Sequence, residues 1–204
     1  GMTKIERLTK IALGIPTMCG PEAGEILKTL ASDAGGTIVE VGAWLGGMTA
    51  WLAMGLIDAK KKSKIHVYDR FEASASEVGK AMAVHYKLQN HQDTLPLVKE
   101  NLAEFGDRFE FHKGDIGASQ WTGGEIAMYV DDASKRPKNW NHAIDTFFPS
   151  FYRGTIMVLL DYFYFEKNPD PDYLCQKKFM EKRPDQFKFI DRVPGTSGAV
   201  FRVL

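Results

Sequence analysis

Apolar positions along the chain alternate between two spacings. Short β-branched or aromatic runs appear in "TIVEVG" (37–42), "SKIHVYDRF" (63–71), "RFEFHKGD" (108–115), "EIAMYVDD" (125–132) and "GTIMVLLDYFYF" (154–165), and they predict five strands. Between them the apolar residues recur at helical spacing. Pro21 opens a helix that Gly35–Gly36 stop near Ala34, with Ile26, Leu27 and Leu30 on one face. Met48, Trp51, Leu52, Gly55 and Leu56 carry a second helix to about Ala59. "TLPLVKENLAEFG" is a third, ended by Gly106, and "PKNWNHAIDTFFPSF" a fourth. Asp170 is placed to cap a helix beginning at Pro171. The tail "QFKFIDRVPGTSGAVFRV" has two strands around a Pro-Gly-Thr-Ser-Gly turn, a hairpin signature.

Strands alternating with helices predict an α/β fold. The expected form is a Rossmann-like three-layer sandwich with a mostly parallel seven-stranded sheet and a C-terminal antiparallel hairpin. No repeat or low-complexity linker interrupts the 204 residues, so residues 1–204 are expected to form a single domain. Residues 1–20 read as an N-terminal extension. Residues 71–92, weakly periodic and carrying His85, Tyr86 and His91, read as a lid over the ligand site. In such sheets ligands bind beyond the carboxyl ends of the strands, at the switch point of the strand order. Attention therefore falls on Glu40–Gly47, Asp69–Glu72, Gly114–Ile116, Asp131–Asp132 and Asp161–Tyr162.

Charge and composition narrow the ligand. Lys+Arg and Asp+Glu each total 26, so no basic excess is available to grip a nucleic-acid backbone. The run Lys60, Lys61, Lys62 and Lys64 fits a solvated helix end. The two cysteines, Cys19 and Cys175, match no metal spacing, and reduced thiols in a cytoplasmic protein are expected. No apolar run reaches the roughly 18 residues of a membrane span. A small-molecule ligand is expected, a homodimer is allowed, and neither nucleic acid nor a membrane is an expected partner.

The turn after the first strand, Gly42-Ala43-Trp44-Leu45-Gly46-Gly47, nearly spells a dinucleotide fingerprint. In that fingerprint the middle glycine lets backbone approach a pyrophosphate, and here Trp44 takes its place. The turn, and the lack of a Tyr-x-x-x-Lys signature, argue against a nicotinamide cofactor. S-adenosylmethionine, which has no phosphate, is the better match. Glu40 is a candidate for its ammonium group or the water around it. Gly42, Ala43, Trp44 and Gly46 line the backbone approach, and the helix start beyond them favours the carboxylate. Asp69, with Arg70 beside it, is a candidate acceptor for both ribose hydroxyls. Asp115 is a candidate for the adenine amino group, with Ile116 or Phe71 against the ring. Each acid alone reads equally well as a strand-end cap; one acid at the end of each successive strand carries the assignment.

With these residues in view, "VEVGAWLGGMTAWLA", "VYDRFE", "FHKGD" and "YVDD…GTIMVLLDY" resemble, in order, the class I S-adenosylmethionine-dependent methyltransferases over about residues 21–203. "VGAWLGG", "DRFE", "DTLPLVKENLAEFG" and "LLDY" further resemble the macrocin O-methyltransferase (TylF-like) group. The resemblance implies O-methylation of a small-molecule hydroxyl. It also implies a divalent metal such as Mg²⁺ held by acids after strands four and five, where Asp131 and Asp161 match, and it adds Asp131 to the cofactor-binding positions. The group's Asp-Gly-Asp after strand four is here Asp131-Asp132-Ala133, and its paired Asp before tyrosine is Leu160-Asp161-Tyr162, so one ligand and the usual base are absent from their places. Asp132, then His142, are the candidate bases. The "DYFYF" rings are candidates for an acceptor wall. The missing positions leave a second reading open: a non-catalytic protein that keeps the cofactor pocket.

Overall fold

The structure is a computed structural model that describes all residues 1–204. Strands β1 (Ile38–Val41), β2 (Ile65–Asp69), β3 (Phe109–Lys113), β4 (Ile126–Asp131) and β5 (Phe151–Leu159) pair in parallel. β7 (Gly198–Val203) runs antiparallel to β5, and β6 (Phe187–Val193) antiparallel to β7. The order across the sheet is β3-β2-β1-β4-β5-β7-β6. The chain moves outward from β1 through β2 to β3 and then returns to the other side of β1. The switch point is therefore the gap between β1 and β4.

Two cores cover the two faces of the sheet. Helices α1 (Lys4–Gly14), α2 (Pro21–Asp33) and α3 (Gly47–Asp58) pack on one side, against Ile38, Ile65, Val67, Met128 and Val130. The short α4 (Ala75–Val78) and α5 (Leu95–Asn101) follow β2, and Val98 of α5 joins that first core. On the other side α6 (Pro137–Thr146) and α7 (Cys175–Glu181) bury Trp140, Ala143 and Met180 against Val39, Val41, Tyr129 and Met157. α3 is apolar all round, with every residue from Gly47 to Leu56 buried, because α1, α2 and the sheet enclose it. No helix is long and apolar enough to cross a membrane.

Four elements differ from the pattern read in the sequence. Part of the N-terminal extension is the helix α1, capped by the Thr3 hydroxyl accepting from the Glu6 amide at 3.1 Å, with Leu8 and Ala12 buried. The fourth helix stops at Thr146, before Pro149, which lies in a 3-10 turn over Phe148–Ser150 and has no amide to continue the helix. β5 begins at Phe151 and ends at Leu159, so "DYFYF" leaves the sheet and turns into a 3-10 segment over Tyr164–Glu166. Asp170 does cap, accepting from the Asp172 amide at 2.9 Å, but the first turn is 3-10 and the α-helix starts at Cys175.

Close approach of α2 and α3 depends on Gly55. A Cβ there would overlap the Lys28 carbonyl oxygen and stand 3.0 Å from the Ala31 Cβ, so backbone has to move. Gly14, at the end of α1, has open space around it. Gly55→Ala is expected to cost about 2–3 kcal/mol in urea unfolding, by overpacking against backbone. Gly14→Ala should stay within about 1 kcal/mol of wild type. Equal effects at the two sites would remove the helix-contact explanation.

Candidate active site at the switch point

The turn after β1 is held by one carboxylate. Asp69, the last residue of β2, accepts through Oδ2 from the backbone amides of Ala43 (2.7 Å) and Trp44 (3.0 Å). Its Oδ1 accepts from the Phe71 amide at 2.7 Å. Charge-assisted bonds of this kind are strong, and they hold two left-handed residues, Trp44 at φ 48° and Phe71 at φ 48°. Gly42, at φ 88°, donates to the Tyr68 carbonyl at 2.8 Å and backs onto Asp132. A Cβ on Gly42 would lie 3.0 Å from the Ala133 Cβ and 3.1 Å from the Asp132 carbonyl carbon. The turn after β1 and the loop after β4 thus touch, and the cleft opens above them.

That cleft is a cavity of about 630 Å³, within the usual range for a small-molecule site. Gly42, Trp44, Asp69, Arg70, Ile116, Asp132 and Asp161 line it, as the strand-end rule anticipated. A second cavity adjoins it through Ile116 and is lined by Tyr68, His112 and Asp115 among others. Asp69 lines the first cavity and Asp115 the second, and Ile116 borders both.

Other expected residues sit elsewhere. Glu40 is 1% exposed and bordered by neither cavity; it accepts from the Thr49 hydroxyl in the first turn of α3. Burial pushes its carboxyl up to about 8, against the pull of the Thr49 bond. Ala43 and Gly46 shape the turn from behind without lining the cleft. Phe71 is fully buried in the first core, edge-on to Phe111 at 5.9 Å, which leaves Ile116 alone for an adenine ring. Asp131 faces the second core, where it accepts from the Tyr129 hydroxyl and from the Ala133 amide (2.9 Å). Strand alternation puts it there, and it lines neither cavity. His142 lies on α6 outside the cleft, with Nε2 2.8 Å from the Ser119 carbonyl oxygen, which it bonds as donor.

Two carboxyls, Asp132 and Asp161, meet in the cleft. Asp132 is exposed and lines the cleft beside Asp161. The two carboxyls are hydrogen-bonded to each other, and both are raised above the ordinary carboxylate range, first by burial. Asp132 is further raised by the negative charges of Asp161 and Asp131. Asp161 is pulled down by the Lys135 ammonium. The consistent state is a shared proton carried on Asp132, with Asp161 as the ionised acceptor.

Several lining residues carried no sequence signal. Cys19 comes from the segment between α1 and α2, and burial pushes its thiol up to about 12. Gly195, Thr196 and Ser197 come from the β6–β7 turn, and Lys135 and Asn139 from the loop after β4 and from α6. Asn139 donates to the Ala133 carbonyl at 3.1 Å, bracing that loop. In the proposed lid, Glu72, Ser74, Ser76, Glu77 and Lys80 border the cleft, whereas His85, Tyr86 and His91 do not. Of "DYFYF", Asp161 and Tyr164 reach the cavity; Tyr162 packs in the second core and Phe163 lies against the Arg192 guanidinium. The rings therefore do not form a continuous acceptor wall.

Several solved structures similar to this chain are methyltransferases. The chain is similar to the O-methyltransferase NovP at 18% identity and TM-score 0.69, with 92% of this chain and 81% of that one covered. It is similar to the S-adenosylhomocysteine-bound methyltransferase PaMTH1 of Podospora anserina at 15% identity and TM-score 0.62, covering 89% and 77%. Cofactor-bound Rv0187 from MTB matches at 17% identity and TM-score 0.60, covering 98% and 87%. No protein-family model matches the sequence, and no curated protein matches it. At these identities the likeness establishes the Rossmann-like methyltransferase fold.

Glu40 generates a pH prediction. Its folded carboxyl titrates near 8 and its unfolded one near 4.5, so between those values the folded state holds a proton that the unfolded state has lost. Stability therefore falls as pH rises through that window. Glu40→Gln keeps an acceptor for Thr49 and removes the titration. The variant is expected to gain on wild type by several kcal/mol between pH 5 and pH 8 in urea unfolding. A difference that is the same at both pH values contradicts the buried, protonated carboxyl.

Proposed function

We propose that the protein is an S-adenosylmethionine-dependent methyltransferase that transfers the methyl group to a hydroxyl of a polar small molecule. The observation that carries this reading is a cleft at the switch point of the sheet, lined by Asp132, Asp161, Gly42 and Asp69, with a second cavity holding Asp115 beyond the shared Ile116. It runs from a proton-accepting end to an apolar residue beside a carboxylate, the sequence of groups an amino-acid end, a ribose and an adenine require. The named relatives, two of them described with bound cofactor or product, agree with it.

The residues fit such a ligand by observation. Gly42 lines the cleft and, having no Cβ, lets the turn after β1 sit directly against the loop after β4. A carboxylate offers about four lone-pair directions, and three backbone amides occupy three of those of Asp69. One direction, on Oδ1, remains for a ribose hydroxyl. The expected grip on both hydroxyls narrows to one. Ile116 supplies the apolar face for adenine, and Asp115, which already accepts from the Gly117 amide at 3.0 Å, retains free acceptor capacity for its amino group.

When bound, the cofactor supplies a sulfonium-activated methyl group. The chain's own task is to orient the acceptor and take its proton. Asp161, ionised and bonded to protonated Asp132, is the group to receive it, because burial raises its basicity against the pull of the Lys135 ammonium and the Asp132 bond. Two facing carboxylates also fit a divalent ion such as Mg²⁺, which keeps several waters and needs only one or two protein carboxylates. Asp132 and Asp161 would hold it, in place of the expected Asp131 and Asp161, and it would lower the hydroxyl's pKa. Only seven of the 24 lining residues are apolar, and Arg70, Lys80, Lys135 and Lys167 are among the rest, so the acceptor is expected to be polar.

Calorimetric titration with S-adenosylhomocysteine tests the reading directly: saturable binding is expected, and none by wild type ends it. Asp69→Ala is expected to weaken binding at least tenfold, through loss of the ribose bond and of the turn clamp. Asp161→Asn should leave binding within about threefold and lower methyl transfer to a hydroxyl acceptor by about 10²-fold or more. Binding without transfer to any acceptor, metal present or absent, supports instead a protein that only holds the cofactor.

A further inference from the structure

We propose a second, nitrogen-rich metal site on the edge of the sheet, formed by His66, Glu110 and His112 and suited to a late first-row divalent ion such as Zn²⁺. The site stands apart from the cleft acids and does not depend on the methyltransferase reading. Parallel pairing of β2 and β3 sets His66 opposite Glu110 and Tyr68 opposite His112. Alternation then places His66, Glu110 and His112 on the same face, adjacent or diagonal to one another. Their potential ligand atoms all lie within 4.8 Å of one another.

The spacing fits coordination. His66 Nδ1 is 3.0 Å from His112 Nε2 and 3.3 Å from Glu110 Oε2. Ligand atoms on a tetrahedral ion with bonds of about 2.0–2.1 Å stand roughly 3.3 Å apart. Neither ring is free to swing away. Trp121 packs edge-on to His66 at 4.8 Å, and Tyr68 stacks on His112 at 4.2 Å with the planes 9° apart. Two imidazoles and one carboxylate select zinc-like ions over Mg²⁺ or Ca²⁺, which prefer oxygen. Three protein ligands leave the fourth position for water, on the side where Glu110 is about half exposed. The competing occupant is a proton on His66 Nδ1, shared with His112 and Glu110; the ion replaces it and ties the edge strand β3 to β2.

The test uses chelator-treated, tag-free full-length protein titrated with ZnCl₂, followed by calorimetry and by thermal unfolding. One saturable equivalent is expected, with a rise in Tm of several degrees, since an ion that binds only the folded state stabilises it. His112→Phe keeps the ring stacked on Tyr68, and Glu110→Gln alters an exposed side chain. Each should weaken Zn²⁺ binding at least tenfold, while Asp132→Asn combined with Asp161→Asn leaves this equivalent intact. Absence of saturable uptake, or uptake that Glu110→Gln and His112→Phe leave unchanged and the cleft double variant abolishes, overturns the site.

Discussion

A single carboxylate, Asp69, holds the ligand-binding end of this molecule in shape. The turn after β1 has to bend sharply at the switch point, and its left-handed residue is a tryptophan, a conformation that costs energy in a residue with a Cβ. Three charge-assisted bonds from one side chain offset that strain and place the turn against the end of β2. Gly42 can then sit against the loop after β4, because no Cβ intervenes. Strand ends that would otherwise splay apart become two walls of one cleft.

The same end of the sheet gathers acids, and each is managed differently. Glu40 is buried against Thr49 and holds its proton. Asp131, on the opposite face, is satisfied by Tyr129 and the Ala133 amide. Asp132 and Asp161 face each other across the cleft, with Lys135 beside them. Burying a carboxylate without a partner is costly, so every acid here is either neutralised, bonded or paired. The pair left facing the cleft is the one whose protonation a ligand can change. Elsewhere the acids brace the frame; here they are available for chemistry.

Much of the architecture was legible because strand and helix periodicities differ and because acids mark strand ends. The seven strands, the hairpin and the positions of Asp69, Asp115, Asp132 and Asp161 along one rim follow from those two signals. What the sequence hides is direction. Asp131 and Asp132 are adjacent, yet Asp131 turns to the second core and Asp132 to the cleft, a difference that a match by sequence position does not report. Phe71 looked like a ring wall and is a core residue, since Phe111 on the neighbouring strand draws it inward. Thr3 and Glu6 formed a readable helix start that the short apolar content of the segment obscured. Cys19 and the Gly195–Ser197 turn reach the cleft through tertiary approach, and nothing local in their sequence reports it.

The departures from the related group's acidic pattern take on a physical meaning at this point. With Ala133 after Asp131-Asp132, the loop after β4 brings one acid, Asp132, beside Asp161, and Lys135 lies near enough to stabilise the latter. A three-acid cluster would need a cation to exist at neutral pH. A pair with a shared proton and a nearby ammonium does not, because hydrogen bonding and Lys135 already compensate its charge. The pair and its lysine can therefore hold a proton without a metal ion. Metal, if taken up, competes with that proton, and acidity in the cleft sets which of the two the acids hold.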